Sequence, residues 1–317
     1  MLTIQKFGGS SLADVDGLRR AAALCCAERA RGRDVAVVVS AMGDTTDELL
    51  ALAYSLSSAP RKRELDALMS TGECASAALL AITLEEMGQR AISLTGWQSG
   101  IFTDAIHGEA RILTLTAGRV RSVLAQGIVP VVCGFQGIDS AGDVTTLGRG
   151  GSDTTAVALA AALRAEHCDI YTDVAGVYTA DPRLVPTARL LERADIRDML
   201  RLSCAGAQVL YAGSLELALE KGVELRLLSS MQPGEGTAVG YLGDNERPPL
   251  AGLALRGREI TLIGREAPPL LRRMLEALEN NGIAVEQSAL LRDGVRLSVS
   301  PEQGRRALNV LHDLCFG

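Results

Sequence analysis

Short runs of β-branched and aliphatic residues alternate along this chain with stretches of helical spacing. LTIQKF at 2–7 has the length and composition of a strand. Residues 12–31 space their apolar positions for a helix, and Gly32 stands where a left-handed stop belongs. DVAVVVSAMG at 34–43 is a continuous β-branched run ending in a turn, as in a strand buried on both faces. Residues 61–87 predict a long helix, with Pro60 near its start and Gly88 after its end. Further strands are expected at 91–94, 128–135, 169–174 and 223–228, and helices at 116–126, 153–165, 195–202 and 206–221. This repetition predicts an α/β fold: an open, mostly parallel sheet with helices on both faces.

The pattern changes at 231–250, where MQPGEGTAVGYLGDNERPPL is rich in Gly and Pro and weakly periodic. It reads as a closing loop and a boundary. The expected domains are therefore 1–240 and 250–317. In the second, strands at 259–264, 283–291 and 295–300 and helices at 269–281 and 302–314 follow a β-α-β-β-α order. That is a small ferredoxin-like α+β domain with no evident fourth strand, which leaves a sheet edge to cover.

Composition narrows the function. The 317 residues carry a formal net charge of −6, which gives no electrostatic case for nucleic acid or an anionic membrane. Met1 leads straight into the first strand without a basic leader. No apolar run approaches the roughly 18 residues of a membrane span. A cytoplasmic location is expected. Seven cysteines without a C-x-x-C pair read as small buried hydrophobes in a reducing compartment. His107, His167 and His312 are far apart in sequence, so no metal site is expected. Lysine occurs only at Lys6, Lys62 and Lys221. A chain that otherwise uses arginine keeps a compact ammonium inside a glycine turn.

Ligands of an open α/β sheet bind where strands lead into helices at their carboxyl ends. Four such loops here are rich in functional groups. In the first, Lys6 precedes Gly8, Gly9 and Ser10. Adjacent glycines let backbone amides approach an anion, the next helix offers its N-terminus, and the turn is expected to face solvent. The second gathers Ser40, Asp44, Thr45, Thr46 and Asp47, which also suit a helix cap. In the third, Arg149 lies between Gly148 and Gly150, ahead of Ser152 and Asp153. The flanking glycines leave room for a carboxylate or phosphate at the guanidinium. Asp153 can cap the helix or orient a lysine or metal. The fourth holds Thr172, Asp173, Tyr178, Asp181 and Arg183. A lone acid, Glu73, sits among small and apolar residues of the long helix. It is either a solvated residue or a buried partner for a ligand cation.

KFGGSS, VVVSAMGDTTDEL, STGE, TTLGRGGSDTTAVALAAAL and IYTDVAGVYTADPR, in this order and spacing, resemble the aspartate kinases of the amino acid kinase superfamily. The resemblance runs from residue 1 to about 240, and 250–317 is similar to that family's ACT regulatory modules. It implies transfer of the γ-phosphoryl of MgATP to the β-carboxylate of L-aspartate, the entry to lysine, threonine, methionine and diaminopimelate synthesis. It also implies roles. Lys6, Asp153 and Arg149 would be catalytic. Ser40, Thr45, Thr46, Glu73, Arg149 and Ser152 would hold aspartate, with Glu73 on its α-ammonium. Lys6, Gly8, Gly9, Ser10, Thr172, Asp173, Tyr178, Asp181, Arg183 and Gln208 would line the nucleotide, with Mg2+ carried mainly by the phosphates. A homodimer through the C-terminal module is implied too. Two departures stand out. Gln208 occupies a position where the family commonly has lysine, and 250–317 is long enough for one ACT module where two are usual, so weak or absent feedback control is expected. A relative acting on another acidic metabolite, and a non-catalytic ligand-binding paralogue, are the other readings.

Overall fold

The computed structural model describes residues 1–207 and 209–317. Gln208 lies outside the described residues. The chain divides into two compact units, Met1–Ala175 with Glu220–Gly234, and Gly176–Leu219 with Glu235–Gly317.

The first unit runs β1 (Leu2–Phe7), α1 (Val15–Ala30), β2 (Asp34–Val39), α2 (Thr45–Leu56), α3 (Lys62–Glu86), β3 (Ala91–Leu94), β4 (Ile101–Thr103), β5 (Ile112–Leu115), α4 (Gly118–Ala125), β6 (Val129–Cys133), β7 (Gln136–Ile138), β8 (Val144–Thr146), α5 (Gly151–Leu163) and β9 (His167–Thr172). In the second, β10 (Arg193–Asp195), α6 (Ile196–Cys204) and α7 (Ala212–Lys221) come first. The chain then returns to the first unit for β11 (Leu225–Ser229). It closes with β12 (Thr237–Gly240), β13 (Gly252–Arg256), β14 (Glu259–Ile263), α8 (Leu271–Asn280), β15 (Val285–Leu291), β16 (Gly294–Val299) and α9 (Gly304–Phe316).

The main sheet of the first unit has the order β11-β9-β1-β2-β6-β3, with every pair parallel. The central strands β1, β2 and β6 are buried almost throughout, as strands covered on both faces are, and in β1 that burial includes the polar Thr3, Gln5 and Lys6. One face packs Phe7, Val37 and Val131 against Ala21, Cys25, Ala77 and Leu80 of α1 and α3. Side chains alternate across a strand, so Lys6 leaves β1 on the other face, where α5 lies. A second sheet, β5-β4-β7-β8, was not legible because its strands are three or four residues long. The helix α2 has no buried face to give it a clear apolar period, its apolar positions being half-buried at most.

α3 corrects one expectation. Over its 25 residues a window reaches a mean hydropathy of 1.5, enough in length and composition to cross a membrane. Half of that window is buried within the fold, where Leu80 and Leu84 pack on the sheet.

The second unit corrects another. Its sheet has four strands, β13-β14-β16-β15, all antiparallel. The fourth, β13, begins just after the prolines at 248–249, where the loop-like composition hid it. Ile260, Leu262, Val295 and Leu297 meet Met274, Leu278, Leu308 and Leu311 of α8 and α9 in one core. β15 ends the sheet with Glu286–Leu290 exposed, so the open edge lies there.

Buried ion pairs fix the segment before β13. Arg247 Nε donates to Asp198 Oδ2 at 2.7 Å and its Nη2 also pairs with Asp198 Oδ1. Asp293 of the β15–β16 turn bonds both Arg247 and Arg201. Asp198 is 1% exposed. Removing one partner strands a buried charge, so Asp198→Ala should cost about 3 kcal/mol or more, measured by urea denaturation. A loss under about 1 kcal/mol would mean that water reaches Arg247 freely.

Candidate active site

The glycine turn after β1 is held by its neighbours. Gly43 N donates to Gly9 O at 3.0 Å, and Ser11 and Leu12 amides close a short turn on Gly8 and Gly9 carbonyls. A Cβ on Gly9 would stand 2.9 Å from Ala41 O and 3.1 Å from Gly43 O. Gly9 is therefore required by the close approach of the 40–43 loop, whose backbone has no room to yield. Behind the turn, Phe7 stacks on Tyr171 of β9 with ring centroids 4.7 Å apart.

Lys6 Nζ lies 2.7 Å from Asp153 Oδ1, with the two side chains only 11% and 14% exposed. Lys6 as a residue is buried, so of the turn expected to face solvent only Gly8, Gly9 and Ser10 reach it. Asp153 does not cap α5. Gly150 occupies the N-cap position without a side-chain cap, and Asp153 spends its carboxylate on the ammonium instead. The lysine thus carries its positive charge to the first turn of a helix only because an acid waits there. At Gly8 a Cβ would make only ordinary contact, 3.4 Å from Lys6 Nζ.

Glu73 is 3% exposed. Its Oε1 accepts from Ala41 N at 3.0 Å, and its Oε2 is buried with no hydrogen-bond partner among the described residues. Burial pushes its carboxyl up to about 7, against the lowering effect of the Ala41 amide. Gly72 brings α3 this close, since a Cβ there would stand 2.8 Å from Ala41 Cβ and 3.6 Å from Thr45 Cγ2. The half-buried Thr45 and Thr46 open α2, and Asp44 before them makes no side-chain cap. Ser40, also half-buried, ties its amide to Phe7 O at 3.1 Å. Ser152 is buried against Gly134, where a Cβ would meet its Cβ and Oγ at 2.8 Å.

Lys6, Gly8, Gly9, Ser40, Thr45, Ser152 and Asp153 therefore belong to one connected set of strand ends, loops and helix starts at the carboxyl ends of β1, β2 and β6, and Glu73 joins it from the middle of α3. Ser10 is exposed at the same turn. Arg149 is exposed and has no partner among the described residues. Its flanking glycines have positive φ, +72° at Gly148 and +69° at Gly150, so backbone conformation rather than ligand space explains them. Thr172 ends β9 and Asp173 follows it. The Thr172 carbonyl accepts from Ser230 N at 2.8 Å and Ser230 Oγ at 3.1 Å, and Ser230 Oγ also meets Ser11 Oγ at 2.8 Å.

The other nucleotide candidates belong to the second unit. Tyr178 forms an isolated antiparallel bridge with Leu190. Arg183 Nη2 lies 2.7 Å from Asp181 Oδ2, and this guanidinium holds Asp181 below the usual carboxylate range. Gln208 lies outside the described residues.

Sequence reasoning missed several supports. Asp66 is fully buried one heptad before Glu73 on α3. It accepts from Gly108 N at 3.0 Å and Thr146 Oγ1 at 2.6 Å, and pairs with His107 Nδ1 at 2.9 Å. It anchors the start of the Arg149 loop. A second acid seven residues from Glu73, on the same helix face, was the available signal. His107, Asp139 and Asp143 bring ligand atoms within 4.8 Å of one another. Each is already engaged, His107 by Asp66, Asp139 by the Ala141 and Asp143 amides, and Asp143 by Arg63. We assign no metal there.

Residues 1–229 match the family model described as the amino acid kinase family. The aspartokinase of Geobacillus stearothermophilus is 47% identical over 289 residues, 90% of this chain and 71% of that protein. The Corynebacterium glutamicum aspartokinase is 44% identical, over 99% of this chain and 78% of its own length. The chain belongs to the aspartokinases of the amino acid kinase family. Solved structures of this family agree. Aspartate kinase from Synechocystis aligns with a TM-score of 0.70 at 30% identity, over 99% of this chain and 69% of that one. Escherichia coli aspartokinase III, in complex with aspartate and ADP, has a TM-score of 0.88 over the whole of both chains, and at 22% identity that likeness concerns the fold.

The raised carboxyl of Glu73 has a stability consequence. In the unfolded chain it ionises near its ordinary 4.5, and in the fold near 7. Its contribution is present below the unfolded value and is lost as pH rises through about 7. This loss should amount to on the order of 3 kcal/mol in the ligand-free protein. Glu73→Gln should flatten the denaturation profile between pH 5 and 8 by that amount. Parallel profiles for the two proteins would show that Glu73 is hydrated.

Proposed function

We propose that the chain transfers the γ-phosphoryl group of MgATP to the β-carboxylate of L-aspartate, giving 4-phospho-L-aspartate, the entry reaction of lysine, threonine and methionine synthesis. The observation that carries this reading is Glu73. A buried carboxylate with one oxygen fixed by a backbone amide and the other unanswered is a receptor for a cation. The α-ammonium of an amino acid answers it, and returns Glu73 to its ionised form.

The remaining roles follow from charge and position. Arg149, exposed between two glycines, is suited to fork a substrate carboxylate. Ser40, Thr45, Thr46 and Ser152 supply hydroxyls beside it. Lys6, aimed by Asp153, meets the charge that spreads over the transferring phosphoryl group. Gly8, Gly9 and Ser10 offer the phosphates a turn. The acceptor carboxylate is ionised at neutral pH, so the reaction needs positioning and cationic stabilisation, and no general base. Thr172, Asp173, Tyr178, Asp181, Arg183 and Gln208 are assigned to the nucleotide on the family resemblance. Residues 1–240 form the catalytic domain in this reading, and 250–317 an ACT-like module, in a cytoplasmic enzyme.

A hydroxamate assay with MgATP and a panel of amino acids tests the reaction. Lys6→Ala should lower kcat on the order of 10²–10³-fold, as loss of one preorganised charge does. Because Lys6 is buried against Asp153, circular dichroism must accompany that measurement. Glu73→Gln should raise the KM for aspartate and leave the KM for ATP nearly unchanged. Hydroxamate from another acid alone, or from none, would replace this assignment.

We also propose a homodimer through the C-terminal module, on the open β15 edge where Leu290 is 61% exposed. Light scattering should give twice the chain mass of 33.4 kDa, falling to one chain with Leu290→Arg. A dimer that survives Leu290→Arg would place the interface elsewhere.

A further inference from the structure

Two cysteines without a part in the proposed reaction stand directly behind Glu73. Cys74 is the next residue on α3, and Cys133 is the last residue of β6. Their sulfurs are 4.0 Å apart and Cys133 Sγ lies 3.5 Å from the Glu73 carbonyl oxygen, so the single thiol proton of Cys133 is shared between these two acceptors. Gln136 fixes the pair from the side. Its Nε2 donates to Ser70 O at 2.9 Å and lies 3.9 Å from Cys74 Sγ. Cys74 is half-buried and Cys133 is 1% exposed, so only the first can meet a solute. All seven cysteines of the chain are free thiols.

We propose that Cys74 and Cys133 form a reversible disulfide in response to hydroperoxides, and that this bond withdraws Glu73 from its substrate position. The two steps balance. The Cys74 thiolate attacks the distal oxygen of a hydroperoxide, the O–O bond breaks, and the leaving alkoxide or hydroxide takes the thiol proton. Cys74 is then a sulfenic acid. Cys133 sulfur attacks the Cys74 sulfur, the S–O bond breaks, and water leaves with the Cys133 proton. Two thiols have given two electrons and two protons to the peroxide, which ends as one water and one alcohol, or as two waters. An external dithiol reverses the exchange. The hydrogen bond from Cys133 lowers the Cys74 thiol and raises its own, which suits the first as the attacking sulfur and the second as the resolving one.

The mechanical effect follows from distances. A disulfide holds its sulfurs about 2 Å apart, so closing the pair takes up about 2 Å between α3 and the end of β6. It also consumes the Cys133 hydrogen to the Glu73 carbonyl. The Glu73 turn has little slack, because Gly72 already presses on Ala41 and Glu73 Oε1 already holds Ala41 N. The shift falls on the carboxylate and on the 40–46 loop. This consequence rests on Glu73 holding the substrate ammonium; the disulfide itself does not.

The full chain treated with hydrogen peroxide should yield, after alkylation and proteolysis, a linked peptide pair joining Cys74 to Cys133. The KM for aspartate should rise about tenfold, the worth of one charge-assisted hydrogen bond, while the KM for ATP stays within about twofold. Dithiothreitol should restore both the peptides and the KM. Cys133→Ala, which fills the site with a small apolar group, should give neither response. Peroxide that oxidises other cysteines and leaves this pair as thiols overturns the proposal. So does a linked pair with unchanged aspartate KM. The peptide map reads the bond whether or not aspartate is the substrate, so a failed disulfide and a wrong substrate give different results.

Discussion

The ion pair between Lys6 and Asp153 is the constraint on which the first unit depends. Taking the Lys6 ammonium out of water near the end of a buried central strand is costly unless an anion meets it. Strand alternation sends Lys6 to the face opposite Phe7, and that face is covered by α5. α5 must therefore begin where its first turn can deliver Asp153, which fixes the loop carrying Arg149 and Ser152. Two left-handed glycines make that entry possible. The pair thus ties a strand end, a helix start and a binding loop together with one short contact.

Glu73 is the complementary case. Its helix could have filled the position with alanine, like its neighbours, at lower free-energy cost. The chain instead buries a carboxyl group, satisfies one oxygen from the Ala41 amide, and leaves the other unsatisfied. Locally the fold is less stable than it could be, and the deficit lies where an amino acid would remove it.

Much of this was legible beforehand because the local rules agreed. β2 and β6 are β-branched or aliphatic runs, and α1 and α3 stop at Gly32 and Gly88, so the parallel sheet followed from period and punctuation. The phrase around Arg149 was conspicuous because a core has no use for it, and those around Lys6 and Glu73 gained meaning from standing with it in one order and spacing. Illegible elements failed for specific reasons. β4, β5, β7 and β8 are too short to show a period, and β13 follows a proline-rich segment that reads as loop. Asp66 was hidden because an acid near the start of a helix looks like a dipole partner, when it in fact holds the Gly108 amide, the Thr146 hydroxyl and the His107 ring. The burial of Lys6 could not be read from its glycines, which suggest an open turn until the 40–43 loop is seen pressed against them.

The return of β11 to the first unit has a consequence for biosynthesis. Chains emerge from the ribosome in order, and domains begin to fold as soon as their parts are available. Here β9 gains its partner β11 only after residues 176–219, which belong to the other unit, have been made. During that interval β9 exposes a row of unpaired amides and carbonyls, and the last strand of the parallel sheet has to be recruited from a distance. The nascent protein passes through a state with an open strand edge, the condition under which chaperones and neighbouring chains compete with native pairing.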